Sequence, residues 1–181
     1  KCRALRQAAA RRDGVPGELL LFGNGASDLI DRFLRALRPR RALLLAPTFS
    51  EYRRGLEGIG CEIEVFFLDK GKNFTVSESI LNVVRPGVDL VFLCAPNNPT
   101  GRRMEPELLQ ALLDRCREAG AFLAVDQCFL ELTEGDPNAL VSQLTGGGLL
   151  LLRALTKSYA LAGLRLGYCL CGDRALLERM E

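Results

Sequence analysis

The sequence predicts an α/β domain with three layers, in which helices cover both faces of a mainly parallel sheet of about seven strands. Short apolar segments of strand length alternate along the chain with amphipathic segments of helix length. The chain has 181 residues, enough for one domain with a substantial core. It shows no internal repeat, low-complexity segment or linker. We therefore expect residues 1–181 to form a single domain.

The composition argues against several classes of partner. Hydrophobic residues make up 48% of the chain and charged residues 25%, and the formal net charge is only +2. This balance gives no electrostatic reason to expect a nucleic acid or an anionic membrane. No apolar segment approaches the length of a membrane span, and no signal-peptide pattern opens the sequence. We therefore expect neither a nucleic acid nor a membrane among the partners.

The chain contains no histidine, which restricts its chemistry more than any other single fact. Catalytic triads that need histidine, and histidine-ligated metal sites, are excluded within this chain. The seven cysteines lie mostly in apolar segments, and we expect Cys169 and Cys171 to point to opposite faces of one strand. We interpret the cysteines as reduced core residues, expect no metal site, and expect a cytoplasmic location.

The first strand and helix contain a candidate anion site. Residues 18–22 are predicted to form a strand, and a glycine-rich turn at 23–27 precedes a helix from about 28 to 37. Ser27 is the expected N-cap of that helix. A strand, a glycine turn and a helix N-terminus can bind a phosphate through backbone N–H groups. The alternative is a tight turn in which the same glycines serve only the backbone geometry. Asp28 stands where a dinucleotide motif needs its third glycine, which argues against a dinucleotide.

The remaining elements continue the alternation of strands and helices. Strands are predicted at residues 42–46, 61–68, 88–94, 121–125, 149–152 and 166–171, and helices at residues 1–12, 48–58, 75–84, 105–119 and 173–180, with a short helix ending near residue 144. Thr48 is expected to cap the second of these helices. This places Phe49 and Tyr52 on the first turn, where an aromatic ring either stacks on a flat ligand or packs in the core.

Polar residues follow two of the apolar strands. Asp126 comes directly after five apolar residues, where an unpaired carboxylate is costly. It either caps the next turn or serves as the counter-ion of a buried cation. The loop 95–101 holds Asn97 and Asn98 near the end of the preceding strand, between prolines that restrict the backbone.

Lys157 lies just past the strand at 149–152, between Thr156 and Ser158, in mostly apolar surroundings. A half-buried lysine amine is a usable nucleophile and the usual residue for Schiff-base chemistry. A solvated lysine on a turn is the alternative, and the Thr-Lys-Ser triplet taken alone favours it. A second cation, Arg165, follows eight positions later.

These candidates are expected to meet at one edge of the sheet, because ligands of such folds bind beyond the carboxyl ends of the strands. The set then comprises a phosphate cradle, an aromatic ring, an amide, a carboxylate, a lysine and a second cation. Pyridoxal 5′-phosphate has a use for all six, through its aldehyde, phosphate, ring nitrogen and ring oxygen. No common nucleotide needs a lysine and a carboxylate placed in this way.

Five motifs resemble, in order and approximate spacing, those of the fold-type I pyridoxal-phosphate enzymes, which include the class I and II aminotransferases. They are GNGASDLI at 23–30, PTFSEY at 47–52, APNNPTG at 95–101, the strand end at Asp126, and LTKSYALAGLRLGY at 155–168. The similarity is closer to the branch that contains histidinol-phosphate aminotransferase and threonine-phosphate decarboxylase.

The resemblance implies a role for each candidate residue. Lys157 would form a Schiff base with the cofactor and shuttle the proton at the substrate's α-carbon, and Asp126 would pair with the ring N–H. Asn98 would bond the ring oxygen O3′, and Phe49 would stack on the ring. The phosphate would be held by Gly25, Ala26, Ser27, Thr156 and Arg165.

Within that branch, the motifs favour the decarboxylase. PTFSEY, LTKSYALAGLRLGY and Phe129 look more like the decarboxylase, and Phe129 stands where the aminotransferases usually have a tyrosine whose hydroxyl reaches O3′. Gln127 replaces a common glutamate, a change that favours neither activity. The resemblance implies decarboxylation of the amino acid phosphate L-threonine O-3-phosphate in cobalamin biosynthesis, with a histidinol-phosphate or related aminotransferase as the alternative. A non-catalytic aminotransferase-like module and a nucleotide-binding domain are the alternatives from other classes.

The resemblance also implies what accompanies the domain. Family members carry an N-terminal segment before it and a smaller C-terminal domain after it, and the latter supplies the arginine that binds the substrate carboxylate. We expect residues 1–181 to be the cofactor-binding large domain, impaired in catalysis when isolated. Family active sites lie at a dimer interface, which implies a homodimer.

Overall fold

The computed structural model describes residues 3–134, 136 and 138–181. Four positions with sequence-based predictions lie outside the described residues: Lys1 and Cys2 in the first helix, and Gly135 and Pro137 in a loop. Within the described residues, strands form one sheet and helices cover both of its faces. The predicted α/β class with a mainly parallel central sheet is therefore confirmed.

A mixed sheet of seven strands forms the centre of the described part of the chain. The strands are β1 (Leu20–Gly23), β2 (Arg41–Ala46), β3 (Glu62–Phe67), β4 (Leu90–Cys94), β5 (Phe122–Asp126), β6 (Leu149–Ala154) and β7 (Gly167–Cys171). Their order is β1-β7-β6-β5-β4-β2-β3. Strand β7 is antiparallel to both of its neighbours, and the other pairs are parallel. The carboxyl ends of β2, β4, β5 and β6 therefore lie along one edge.

Seven α-helices accompany this sheet in the described residues. They are α1 (Arg3–Asp13), α2 (Ala26–Leu37), α3 (Ser50–Gly58), α4 (Ile80–Val83), α5 (Pro106–Ala119), α6 (Leu155–Ser158) and α7 (Arg174–Met180). Helices α1, α4 and α5 contribute to the core on one face, and α2, α3 and α7 to the core on the other. No helix in this part of the chain combines the length and the apolar character needed to cross a membrane.

The central strands are apolar along their whole length because both faces of the sheet are covered. Successive side chains of a strand point to opposite faces. In β6, Leu149 and Leu151 pack in the core beneath α5, whereas Leu150 and Leu152 pack in the core beneath α2. An uninterrupted apolar run is therefore what a central strand of this fold requires.

The prediction that Cys169 and Cys171 point to opposite faces is wrong. Residues two apart in a strand share a face, and both side chains are fully buried in the core that α2 and α7 cover. The six cysteines among the described residues are buried and free of disulfides. Burial raises the pKa of the Cys171 thiol to about 11.

Two predicted helices differ from the structure, one in length and one in type. The helix expected at 75–84 is confined to α4, and the residues before it form turns in which the N–H of Ile80 donates to the carbonyl of Ser77. The hydroxyls of Ser77 and Ser79 also bond to each other at 2.7 Å. The helix expected to end near residue 144 is a 3₁₀ helix, Val141–Gly146.

Candidate active site

A cavity of about 230 Å³ lies at the carboxyl edge of the sheet. Its lining includes all nine residues that the sequence singled out, namely Gly25, Ala26, Ser27, Phe49, Asn98, Asp126, Thr156, Lys157 and Arg165. The others are Cys94, Cys128, Phe129, Ala154 and Ala162. Residues from six separate segments of the chain thus surround one space, as the parallel strand order predicts.

One end of the cavity is the N-terminus of α2. This helix begins at Ala26, and Gly25 is its N-cap with φ +80°. The prediction that Ser27 caps the helix is wrong, because Ser27 already lies in the first turn. A glycine fits at the cap because the left-handed region is costly for other residues. The first N–H groups of α2 have no helical partners, so this end of the cavity can bind an anion.

Arg165 adds a positive charge to that end. A Cβ atom placed on Gly25 would lie 3.4 Å from Nη2 of Arg165, so the guanidinium closely approaches the glycine turn. Arg165 itself has φ +48° and ends a 3₁₀ helix, Ala162–Leu164. The glycine turn, the helix N-terminus and the guanidinium together form an anion site with both dipolar and ionic stabilisation.

Gly167 lets the turn of this anion site pack closely against the sheet. A Cβ atom at this position would come within 2.9 Å of the carbonyl carbon of Gly25 and 3.0 Å of the amide nitrogen of Ala26. Any side chain would therefore push the start of α2 away from β7. The close approach explains why a glycine follows Leu166 at the start of this strand.

Asp126 is the buried carboxylate of the cavity, with only 4% of its surface exposed. Its Oδ2 accepts a hydrogen bond of 2.7 Å from the hydroxyl of Tyr52, and its Oδ1 accepts one of 2.9 Å from the backbone N–H of Cys128. These two donors offset part of the cost of burying the charge. Asp126 is thus oriented toward the cavity by one side-chain donor and one backbone donor.

The sequence did not identify Tyr52 as the hydrogen-bond partner of Asp126. It is fully buried, and its ring stacks on Phe92 at 4.2 Å and meets Phe49 edge-on at 5.5 Å. Burial, and then the negative charge of Asp126, raise the pKa of Tyr52 well above its ordinary value. Its hydroxyl therefore remains a donor. The available signal was that a buried tyrosine hydroxyl requires a partner.

Asn97 and Asn98 have different positions in the loop after β4. Asn97 is buried, and its amide donates to the carbonyl of Pro47 at 3.0 Å and to the hydroxyl of Thr100 at 2.9 Å. Its oxygen accepts a bond of 2.9 Å from Thr48, so Thr48 braces this loop and does not cap α3 as predicted. Asn98 is left to line the cavity.

Lys157 lies on α6, one turn beyond β6, and lines the cavity. Its side chain is exposed, whereas the sequence suggested a half-buried lysine. The short helix extends past the end of the strand and leaves the residue at the rim. Nζ lies 5.9 Å from the ring centre of Phe129, within range of a cation–π contact. The amine is therefore accessible and lies close to an aromatic ring.

Two thiols also line the cavity, on either side of Asp126 in the chain. Burial raises the pKa of Cys94 to about 12, with the charge of Asp126 as the next cause. Burial and the same carboxylate raise the pKa of Cys128 further still. Because thiolates are the nucleophilic form, these two protonated thiols are not candidates for covalent catalysis at neutral pH.

The cavity fits a small aromatic phosphate ester that carries an aldehyde. An anion site lies at the N-terminus of α2, a buried carboxylate lies at the end of β5, and an amine lies on the rim. The absence of a side chain at Gly25 leaves room for a phosphate beside Arg165. Within the described residues, no group of His, Cys, Asp or Glu side chains could hold a metal ion.

Comparisons with known proteins find relatives in both sequence and structure. The chain is 39% identical to threonine-phosphate decarboxylase from Salmonella typhimurium over 98% of its length and 49% of that protein. The histidinol-phosphate aminotransferase structure from Clostridium acetobutylicum superposes with a TM-score of 0.87 at 25% identity, over 98% of this chain and 52% of that one. A pyridoxal-phosphate-dependent cyclase, OrfR, matches with a TM-score of 0.83 at 28% identity, over 98% and 47%.

The family model for class I and II aminotransferases matches residues 3–181. The chain spans about half the length of the curated relatives that it matches. These relatives include decarboxylases and aminotransferases, so the similarity places this chain among enzymes of more than one reaction type. The chain belongs to the class I and II aminotransferase family, whose cofactor is pyridoxal 5′-phosphate.

Proposed function

We propose that this chain is the large, cofactor-binding domain of an enzyme that decarboxylates L-threonine O-3-phosphate in cobalamin biosynthesis. The observation that carries the proposal is the single cavity that unites an anion site, a buried carboxylate and an accessible lysine. The 39% identity to the decarboxylase from Salmonella typhimurium supports this substrate over others. Because the match covers half of that protein, the proposal concerns the full-length enzyme.

Each lining residue has a defined task in this proposal. The N–H groups at the start of α2, with Ser27, Thr156 and Arg165, bind the cofactor phosphate. Asn98 donates to the ring oxygen, and Phe49 packs on the ring face. Asp126, held by Tyr52, keeps a proton on the ring nitrogen. Pyridoxal phosphate, when bound, supplies an aldehyde for amine condensation and a ring that accepts electrons.

Lys157 has two tasks in the proposal. Its amine attaches the cofactor between turnovers, and it moves a proton at the substrate's α-carbon during them. Its exposed position in the lining leaves the amine accessible for both tasks. Which bond breaks at the α-carbon would depend on how the protein orients the substrate.

Phe129 supports loss of the carboxylate over transamination. It lines the cavity and lies beside the amine of Lys157, where a tyrosine would add a hydroxyl donor. The apolar ring leaves Asn98 as the side-chain amide of the lining that can donate to the ring oxygen. Relatives named histidinol-phosphate aminotransferase are 28–32% identical to this chain, so transamination is the second candidate.

The two candidates are separated by supplying their substrates to the full-length protein with pyridoxal phosphate. We expect carbon dioxide release from L-threonine O-3-phosphate and no amino transfer from histidinol phosphate to 2-oxoglutarate. Gas release is followed with the carboxyl-labelled substrate, and amino transfer by formation of glutamate. Glutamate formation without carbon dioxide release would reject the decarboxylase in favour of the aminotransferase. L-Threonine without its phosphate serves as the control for recognition of the phosphate group.

Tyr52→Phe is expected to weaken binding of pyridoxal phosphate by about tenfold to a hundredfold, because a hydrogen bond to a buried charge is worth roughly 1.5–3 kcal/mol. The substitution removes the donor to Oδ2 of Asp126 and keeps the ring that stacks on Phe92. The dissociation constant is measured by titrating the apoprotein and following the cofactor absorbance. The melting temperature of the apoprotein is the control for packing. An unchanged dissociation constant would show that the backbone N–H of Cys128 alone orients Asp126.

We also propose that the full-length protein acts as a cytoplasmic homodimer, with neither a nucleic acid nor a membrane as partner. Large apolar side chains are exposed at Leu132, Tyr159 and Leu164. Tyr159 and Leu164 flank lining residues of the α6 region, and Leu132 follows Phe129 by three positions. A second copy that covers these side chains would also close the mouth of the cavity. Sedimentation of the full-length protein tests this arrangement.

A further inference from the structure

A buried ionic cluster joins the end of α1 to the sheet outside the cavity. Asp13 and Arg153 are 3% and 4% exposed, and Nη1 of Arg153 lies 2.7 Å from Oδ1 of Asp13. The hydroxyl of Tyr168 donates to Oδ2 of Asp13 at 2.8 Å. Nε of Arg153 also donates to Gln127, the residue after Asp126, at 3.3 Å. Asp13 and Arg153 therefore both have partners, and the cluster contacts the segment that contains Asp126.

Arg12 extends this cluster to the surface and contacts three further segments of the chain, at Glu131, Tyr159 and Tyr168. Its guanidinium donates to the hydroxyls of Tyr159 at 2.9 Å and Tyr168 at 2.7 Å. It also pairs with Glu131 at 2.7 Å and with Asp13 at 3.0 Å. A planar guanidinium with five donors can hold several partners at fixed angles, which a lysine ammonium cannot.

The partners of Arg12 are close in sequence to Lys157, to the lining residue Phe129 and to Gly167, which packs against the anion site. Tyr159 follows Lys157 by two positions, and Glu131 follows Phe129 by two. Tyr168 adjoins Gly167, against which the turn at Gly25 packs. One side chain therefore links the lysine segment, the segment after Asp126, and the strand beneath the anion site.

We propose that Arg12 is a positioning residue, which fixes the amine of Lys157 relative to the carboxylate and the anion site. This inference rests on the proposed function. Arg12 touches neither the cavity nor its ligand, and it acts through Tyr159, Glu131 and Tyr168. Its side chain is 32% exposed, and Asp13 keeps Arg153 and Tyr168 as partners when Arg12 is removed. Replacement of Arg12 therefore strands no buried charge, so the fold should persist.

The test compares Arg12→Gln with Arg11→Gln in the full-length protein. Arg11 is an exposed residue in the same last turn of α1, so both variants lose the same favourable charge near a helix C-terminus. For Arg12→Gln we expect a dissociation constant for pyridoxal phosphate about tenfold higher. We also expect borohydride to fix the cofactor on Lys157 about tenfold more slowly at saturating cofactor. For Arg11→Gln both values should equal those of the wild type.

The rate at saturating cofactor is the decisive value, because a purely structural role of Arg12 would lower the melting temperature and leave that rate unchanged. Such a result overturns the inference. Arg12→Lys is the second variant, and it should recover only part of the rate, since an ammonium lacks the planar fork. Full recovery of the rate in Arg12→Lys would show that the positive charge alone is required, and this result would also overturn the inference that Arg12 is a positioning residue. If the wild type itself fixes no cofactor on Lys157, the proposed function fails before Arg12 is tested.

Discussion

Lys157→Ala is expected to abolish covalent attachment of pyridoxal phosphate and to lower turnover of the full-length enzyme by about 10²-fold to 10⁴-fold, the range that a positioned proton donor or acceptor contributes. The sequence contains four lysines, at positions 1, 70, 72 and 157. Lys157 is the one among the described residues that lines the cavity. Borohydride treatment followed by peptide mapping measures the attachment, and the visible absorbance of the cofactor gives an independent measure.

Lys72→Ala is the matched control for this experiment. It removes the same side chain from an exposed 3₁₀ turn, Lys70–Lys72, outside the cavity lining. The control should retain both the absorbance and the borohydride-fixed peptide. If Lys157→Ala shows the same absorbance band as the wild type, the assignment of the attachment site is rejected.

Asp126→Ala is expected to weaken cofactor binding and to reduce turnover on the order of 10²-fold or more, as is typical when a preorganised charged group is removed from an active site. Without this carboxylate the ring nitrogen loses its counter-ion and the ring is a poorer electron acceptor. The loss also leaves the hydroxyl of Tyr52 buried without its acceptor. Cofactor affinity and turnover are both measured on the full-length protein.

Asp89→Ala distinguishes this electronic effect from loss of structure. The carboxylate of Asp89 also accepts backbone N–H bonds, from Arg40 at 2.7 Å and Arg41 at 3.1 Å. It precedes β4 and so lies at the opposite edge of the sheet from the cavity. We expect this variant to lose stability and keep its cofactor affinity. Wild-type turnover in Asp126→Ala would refute the role of Asp126 as counter-ion.

The parts of the site that could be predicted from the sequence are those at strand ends. The strand order of a parallel sheet brings such positions together whatever the details of packing. Asp126, Asn98 and Thr156 follow β5, β4 and β6 or end them, and each is found at the cavity. Their proposed roles toward the cofactor stay predictions until the variants are measured.

Long-range side-chain pairs could not be predicted, because no local pattern records them. Tyr52 and Asp126 are 74 positions apart, and Arg12 and Tyr168 are 156 apart. A buried tyrosine or arginine signals that a partner exists, but the identity of that partner depends on the packing of whole elements. The partner of a given buried side chain is therefore identified only from the structure.

Two of the local predictions that were wrong concern the precise start of an element and the exposure of a residue. Ser27 has the chemistry of an N-cap, yet α2 begins one residue earlier because Gly25 can adopt a left-handed conformation. Lys157 follows an apolar strand, yet it is exposed because α6 extends past the sheet. Both outcomes depend on where the chain turns, and residue type limits that only loosely.

The reversed direction of β7 means that the chain leaves the sheet after β6 and re-enters it at the same edge. No helix has to cross the sheet between them, and the N–H of Leu155 bonds directly to the carbonyl of Leu166 at 3.1 Å. Lys157 and Arg165 therefore lie in one connection between two neighbouring strands, and this hydrogen bond joins its two ends. One connection between neighbouring strands therefore positions both the lysine and the guanidinium, whereas Asp126 and the start of α2 are positioned by separate strand ends.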